Sequence, residues 1–137
     1  AMPKMIFVNL PVTDLANSIA FYTAIGGSKN PQFSDDTAAC MVLSETIHVM
    51  LLTHTKYSSF TARPIADARA TSAGLFALTF DSRDEVNAIL DRAVAAGGLA
   101  DPNPPLDLGF MFSRSAQDPD GHVWEIFWMD PAALASA

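Results

Sequence analysis

Two stretches of the chain repeat the same order of apolar and polar signals. Residues 5–27 and 74–98 each begin with an apolar run, continue through a short polar cap into an amphipathic segment, and end at a Gly-Gly pair. The apolar runs align at an offset of 68 residues and the glycine pairs at 71, so the second amphipathic segment is about three residues longer. This order predicts a strand followed by a helix in each half, since paired glycines permit the left-handed residue that ends a helix.

The two predicted helices have start signals and apolar stripes. Thr13 or Asp14 can cap the first, and Ser82 with Glu85 forms a capping-box pattern before the second. Apolar residues recur at helical spacing in both, at Leu15, Ile19, Tyr22 and Ile25, and at Val86, Ile89, Leu90, Ala93 and Val94.

More strand-like runs follow each helix, at 38–44 and 47–53 in the first half and at 110–115 and 123–129 in the second. A weak strand is expected near 32–35 and a loop at 100–108. The sequence thus predicts an α+β fold of two tandem βαβββ modules within one domain. The expected boundaries are 2–130 for the domain, 5–53 and 74–130 for the modules, 54–73 for a connector with a short helix, and 131–137 for a fraying tail.

Each of the four central strands has a wholly apolar face and a mixed face. The mixed faces carry Asn9, His48, Thr79 and Glu125 among apolar neighbours. Because side chains alternate across a strand, the apolar faces are expected to carry the helices on the outside of a curved mixed sheet. The mixed faces would then surround a small-molecule cavity. The side chains expected to line that cavity are Phe7, Asn9, Met50, Leu75, Thr79, Phe112, Arg114 and Phe127.

Glu125 is the most informative candidate, because it lies between Trp124 and Ile126 in a predicted strand. A carboxylate is costly to desolvate there unless it is paired or ligating. It is either a structural carboxylate, exposed or ion-paired with Arg114, or a metal ligand or general base that faces the cavity. His48 is expected on the same side, as a core histidine or as a ligand.

Charge and cysteine content restrict the partners. Eight Lys and Arg against fifteen Asp and Glu give a net charge of −7, so the chain has no basic stripe for nucleic acid or for an anionic membrane. Cys40 is the single cysteine, which excludes an intrachain disulfide and suits a reducing compartment. We therefore expect a cytoplasmic protein with a small-molecule partner.

Residues 7–26 (FVNLPVTDLANSIAFYTAIG) and 118–126 (DPDGHVWEI) resemble the glyoxalase/bleomycin-resistance/dioxygenase superfamily, which has the vicinal oxygen chelate fold. The resemblance is to small bacterial proteins of the lactoylglutathione-lyase-like type. It spans nearly the whole chain, and it implies that two chains assemble as a homodimer.

Metal-using members of that family place four ligands on four strands. The resemblance places the final-strand carboxylate on Glu125. It places two other positions on Phe7 and Leu75, which cannot bind a metal, and the fourth on His48 or Met50. The resemblance therefore implies a degraded divalent-metal site, in which Glu125 and His48 are the best remaining ligands.

Two functions follow from the resemblance. The first is a glyoxalase-like lyase or isomerase that acts on a small carbonyl compound or a thiol conjugate. Glu125 would then be the base, and Arg114 or His48 would stabilise the developing charge. The alternative is a non-catalytic protein that binds and sequesters a drug or antibiotic, as bleomycin-resistance proteins do. A dimeric domain without a small-molecule role is the simplest third interpretation.

Overall fold

A computed structural model describes residues 2–135, except for the side chain of Leu134. The chain divides into two compact units, unit 1 ending at Asp67 and unit 2 beginning at Ala68. This boundary falls within the predicted connector. None of the helices in the described part of the chain has the length and apolar character needed to span a bilayer.

Unit 1 contains one four-stranded sheet with the order β1-β4-β3-β2. Strands β1 and β4 run parallel, and the other neighbours run antiparallel. The elements in chain order are β1 (Ile6–Val12), α1 (Leu15–Ala24), β2 (Ser28–Asn30), a 3-10 helix (Pro31–Phe33), β3 (Ala38–Val42), β4 (Ile47–Thr53) and α2 (His54–Ser58).

Unit 2 contains one five-stranded sheet with the order β5-β9-β8-β6, in which β7 also pairs with β8. Strands β5 and β9 run parallel, as β1 and β4 do in unit 1. The elements in chain order are β5 (Phe76–Thr79), α3 (Arg83–Ala95), β6 (Leu99–Ala100), β7 (Leu106–Asp107), β8 (Met111–Gln117), β9 (Val123–Met129) and α4 (Pro131–Ala135).

The predicted α+β class is confirmed, since the chain forms two mixed sheets with short peripheral helices. The strand expected near 32–35 is wrong. That strand lies at Ser28–Asn30, because Pro31 opens a 3-10 turn and the Asn30 side chain caps it by accepting the amide of Gln32. Part of the loop expected at 100–108 is also strand, since Leu106 and Asp107 pair with β8.

The tail predicted to fray at 131–137 differs from that expectation over its first five residues. Residues 131–135 form α4 instead of fraying, with the Asp130 carboxylate accepting the amide of Ala132 at its start. The last two residues of the predicted tail lie outside the described residues.

The N-cap residues of α1 and α3 occupy equivalent positions in the two repeated stretches of the chain. Asp14 accepts the amide of Asn17 at 3.0 Å before α1, and Ser82 accepts the amide of Glu85 at 3.0 Å before α3. The two cap residues are 68 residues apart, which is the offset of the apolar runs. The duplicated strand–cap–helix order is therefore present in the backbone as well as in the sequence.

The apolar faces of the strands are buried, as their alternation predicts. The fully or nearly fully buried strand residues include Leu10, Val12, Val49, Leu51, Trp124 and Ile126. The buried faces of the two helices differ slightly from the predicted apolar stripes. Phe21 is completely buried, whereas Leu15 and Ile19 are half-buried and Val94 is exposed.

Candidate functional site

Glu125 is half-buried in the middle of β9, between Ala77 of β5 and Ser115 of β8 in the sheet. Both of its carboxylate oxygens accept hydrogen bonds. Oε1 accepts from the side-chain amide nitrogen (Nδ2) of Asn103 at 3.1 Å, and Oε2 accepts from the hydroxyl of Ser113 at 3.4 Å. We call these three residues the Glu125 cluster.

A single serine fixes the loop that carries Asn103. The Ser115 hydroxyl accepts the backbone amide of Asn103 at 3.0 Å and donates to the backbone carbonyl of Asn103 at 3.1 Å. The backbone of Asp101 has a left-handed φ of 55° and donates its amide to the Ser115 carbonyl. Ser115 thus holds the loop against β8, and the Asn103 side chain reaches Glu125.

The hydrogen-bond donors to Glu125 in this cluster are neutral side chains. Neither salt bridge among the described residues involves Glu125. A carboxylate oxygen can accept two hydrogen bonds, and each Glu125 oxygen accepts one from the described residues. The carboxylate is therefore oriented but still able to accept a proton, or a hydrogen bond from a ligand.

Arg114 and Phe112, both predicted to line the cavity, lie on the other face of the sheet. The register pairs Arg114 with Ile126, whose side is buried against the helices, and a residue next to Ser113 must point the opposite way. Arg114 donates to Asp101 at 2.7 Å and to Asn87 of α3 at 3.0 Å. The hydrogen bond to Asp101 raises the pKa of the Arg114 guanidinium.

Phe112 lies on the same face of the unit 2 sheet as Arg114, the face that packs against α3. The guanidinium of Arg83, the first residue of α3, is 5.3 Å from the centre of the Phe112 ring and 5.2 Å from that of Trp128. Thr79 and Phe127, by contrast, are paired with each other on the Glu125 face. Leu75 is exposed just before β5.

In unit 1, His48 and Phe7 are stacked. Their ring centres are 4.3 Å apart and their planes differ by 13°, so both side chains project from the same face, as predicted. His48 is only 8% exposed, and its Nδ1 is buried without a hydrogen-bond partner among the described residues.

Strand register favours Met50 over His48 as the fourth position of the family's metal site. Asn9 pairs with Met50, and Ala77, which follows Asn9 by 68 residues, pairs with Glu125. The helix caps give the same offset. Met50 is therefore the unit 1 equivalent of Glu125.

The residues at the four implied ligand positions do not fit a divalent ion. Unit 1 offers Phe7 and Met50 at these positions, and unit 2 offers Leu75 and Glu125. One carboxylate and one thioether fall short of the three protein ligands that such sites usually have. In the described ranges, no group of three or more His, Cys, Asp or Glu side chains is placed to hold a metal.

Unit 1 also contains a cavity of about 340 Å³, which we call the unit 1 cavity. Its lining residues are Asn9, Leu52, Tyr57, Phe60 and Thr61. Sequence reasoning found Asn9 and missed Tyr57, Phe60 and Thr61, because they lie in the predicted connector, which has no strand periodicity. It also left out Leu52, although Leu52 alternates with His48 and Met50 along a predicted strand. The two aromatic residues directly after a strand were the available signal.

Comparisons with known proteins agree with the fold. The family model of the Glyoxalase/Bleomycin resistance protein/Dioxygenase superfamily matches residues 4–126. A hypothetical protein from S. aureus is 22% identical with a TM-score of 0.75, covering 93% of this chain and 95% of that one. A search of the curated proteins gives no match.

Two further solved structures have the same fold. A glyoxalase-related enzyme from Fulvimarina pelagi is 21% identical with a TM-score of 0.76, covering 93% of this chain and 88% of that one. The fosfomycin resistance protein FosX from Listeria monocytogenes is 18% identical with a TM-score of 0.65, covering 93% and 92%. The predicted resemblance is confirmed, because the family model covers most of the chain. The protein belongs to the glyoxalase/bleomycin-resistance/dioxygenase superfamily.

Proposed function

We propose that the protein is a glyoxalase-like lyase or isomerase that acts on a small carbonyl compound or thiol conjugate, with Glu125 as the general base. The observation that carries this proposal is the Glu125 cluster. It is a half-buried carboxylate on the mixed face of the sheet, and both oxygens are oriented by neutral donors. Such a group can accept a proton without first breaking an ion pair.

The proposed step moves one proton. Glu125 takes a proton from the carbon next to the carbonyl, and the C–H electron pair forms the C=C bond of an enolate whose negative charge lies on oxygen. In an isomerase, the protonated Glu125 returns the proton to the neighbouring carbon. In a lyase, the enolate re-forms the carbonyl as the bond from the next carbon to the leaving group breaks; the leaving group takes the bonding electron pair and receives the proton from Glu125. Asn103 and Ser113 act as positioning residues, because they fix the carboxylate.

The enolate oxygen needs a hydrogen-bond donor. Arg114 faces α3 and is bound to Asp101, which leaves it badly placed for this role. The Glu125 face offers the hydroxyl of Thr79, two residues along β5 from the partner of Glu125 in the sheet. We propose Thr79 as the donor that stabilises the developing charge.

The test is proton–deuterium exchange in D₂O, followed by NMR at the carbon next to the carbonyl in a panel of α-keto-aldehyde–thiol adducts. Glu125→Gln should slow exchange by about 10²-fold or more. Glu45→Gln is the matched control, since Glu45 is exposed between β3 and β4. Exchange by Glu125→Gln at the wild-type rate, or no exchange by the wild type on any member of the panel, would contradict the proposal.

We propose that this chemistry uses protein groups instead of a divalent ion, because the residues at the family's ligand positions do not fit one. Adding Ni²⁺, Zn²⁺, Mn²⁺ or Fe²⁺ to the purified protein is expected to leave its Tm unchanged. A rise of several degrees that Glu125→Gln abolishes would show that a metal binds at Glu125.

The second candidate function is sequestration of a small molecule without turnover. The unit 1 cavity favours it, because two aromatic side chains and a buried leucine line a space of about 340 Å³. Tight binding of a drug-like molecule together with no exchange on the carbonyl panel would support sequestration over catalysis. The absence of binding across a broad panel would count against it.

The proposed assembly is a homodimer in the cytoplasm. Strands β1 and β5 each lie at the end of a sheet, and β1 exposes Ile6 and Phe7, which a second chain could cover. Sedimentation that gives the single-chain mass of 14.7 kDa at micromolar concentration would refute the dimer. The proposed location rests on Cys40, the single cysteine, which is buried and can form no intrachain disulfide.

A further inference from the structure

The unit 1 cavity is lined by apolar and aromatic side chains that suit a flat ring. Leu52 is almost completely buried at the end of β4, and Tyr57 and Phe60 come from α2 and the turn after it. The Phe60 ring is 66% exposed, although burying an aromatic ring is favourable. A volume of about 340 Å³ is at the lower end of the range of ligand pockets.

The polar groups of the cavity offer both acceptors and donors. The Asn9 side-chain nitrogen donates to the Phe7 carbonyl at 3.1 Å, which fixes the amide and leaves its oxygen as an acceptor. The Thr61 hydroxyl accepts the amide of Arg63 at 3.3 Å, so its own hydrogen is available. The Tyr57 hydroxyl has no hydrogen-bond partner in the described part of the chain.

The charges around the cavity disfavour an ionic ligand. The ammonium group of Lys56 lies 5.3 Å from the centre of the Phe60 ring, so a cation already lies over one face of that ring. A second cation at this ring would be repelled. Asp35 brings an opposite charge into the same region: hydrogen bonds from Thr37 are the main cause of the lowered pKa of its carboxyl, and the charge of Lys56 makes a smaller contribution. The net charge of −7 repels anions at longer range.

We propose that the unit 1 cavity binds a neutral planar aromatic compound that carries an N–H or O–H donor beside an acceptor, as an aromatic amide does. The ring lies against Phe60 and Tyr57, its donor bonds the Asn9 oxygen, and its acceptor takes a hydrogen bond from Thr61 or Tyr57. This site goes beyond the reaction proposed at Glu125, and its occupancy is measured without turnover.

Three probes of nearly equal shape but different charge show whether the charge of a ligand affects its affinity for the cavity. Benzamide is neutral, benzamidinium is a cation and benzoate is an anion. Each is titrated into the full ¹⁵N-labelled chain, and amide shifts are followed by NMR. Benzamide should bind about fivefold more tightly than either ion, with the largest shifts at the lining residues. A preference for an ion, or no binding of benzamide up to about 10 mM, would overturn the proposal.

Matched variants locate the site. Phe60→Ala and Asn9→Ala should each weaken benzamide binding about fivefold or more. Phe33→Ala is the control, since Phe33 is a 61% exposed aromatic residue of unit 1 that does not line the cavity. Equal weakening by Phe33→Ala would overturn the assignment.

A surface variant tests the charge argument without removing a cavity wall. Lys56→Gln should leave benzamide affinity unchanged and raise benzamidinium affinity about threefold, because the repelling cation is gone. An unchanged benzamidinium affinity would refute the role of Lys56. Failure of any of these binding tests leaves the Glu125 exchange assay unaffected, so the two proposals can fail separately.

Discussion

Units 1 and 2 share their scaffold and differ in what their mixed faces carry. In both, a capped helix follows the first strand, and that strand runs parallel to the last strand of the sheet. At equivalent positions, unit 1 has Met50 and unit 2 has Glu125. Unit 1 has an aromatic cavity beside α2, whereas unit 2 has a carboxylate held by a loop amide and a strand hydroxyl.

The difference shows which positions the fold needs. Helix caps and the apolar strand faces are kept in both units because they satisfy helix ends and bury the core. Exposed side chains on the mixed faces, such as Asn9 and Thr79, do neither, so these positions can diverge. In our proposals, the unit 2 face holds the proton-transfer group and the unit 1 face holds a ligand-recognition group.

The largest expected effect concerns the turn between β8 and β9 in unit 2, compared with the glycine that follows α1 in unit 1. Gly121 has φ +99°, and a Cβ there would lie 2.7 Å from the backbone nitrogen of Arg69. The Arg69 side chain also donates to the Pro119 carbonyl, so the segment cannot easily move away. Gly121→Ala should lower the free energy of unfolding by about 3 kcal/mol, measured by urea denaturation.

Gly26→Ala is the control for backbone strain alone. Gly26 ends the first helix region with φ +108°, but nothing lies within 4 Å of its would-be Cβ. The expected cost is about 1 kcal/mol. Equal losses at the two glycines would show that the contact with Arg69 contributes nothing.

The helix caps test whether the two units are equally dependent on them. Asp14→Ala and Ser82→Ala each remove the side-chain acceptor for a first-turn amide. Each should lower the free energy of unfolding by about 1 kcal/mol. Asn17→Ala and Asp84→Ala, which keep both cap acceptors, are matched controls. A loss at one cap and none at the other would contradict the equivalence of the units.

A substitution at His48 is expected to raise the free energy of unfolding instead of lowering it. Its buried Nδ1 has no hydrogen-bond partner in the described ranges, and its ring stacks on Phe7. His48→Phe keeps an aromatic ring and removes the unpaired group, so the free energy of unfolding should rise by up to about 1 kcal/mol. A marked loss of stability would show that the His48 nitrogen has a stabilising partner in solution.

The smallest effect concerns an exposed ion pair in unit 2. Hydrogen bonds from Arg83, and then from the Gly109 amide, lower the pKa of Asp107 to about 2. Because the folded pKa lies below the unfolded value near 3.8, this stabilisation is present above about pH 4 and is lost as pH falls towards 2. The difference in urea midpoint between wild type and Asp107→Asn should therefore shrink over that interval. A difference that stays constant with pH would contradict the assignment.

Local signals allowed much of the fold to be predicted. The caps at Asp14 and Ser82 and the alternation that buries Leu10 and Ile126 depend only on nearby residues. Placing Phe7 and His48 on one face needed only parity.

The candidate site was less predictable, because it depends on pairing between distant segments. Asn103 reaches Glu125 only because Ser115 holds its loop against β8, and no local pattern in residues 100–108 shows this. The side of the sheet on which Arg114 lies follows from the β8–β9 register. The turn at 118–121 could have fixed that register, had the strands been aligned around it.

The two hydrogen bonds between Ser115 and the backbone of Asn103 fix the loop independently of the Glu125 side chain. The Ser115 hydroxyl binds the loop at Asn103, the residue whose side-chain amide donates to the Glu125 carboxylate. If Glu125 is the base that we propose, insertions or substitutions at Pro104 and Pro105 would change the neighbouring loop and leave the carboxylate in place. Under that proposal, substrate preference could diverge among relatives that keep this serine while the reaction stays the same.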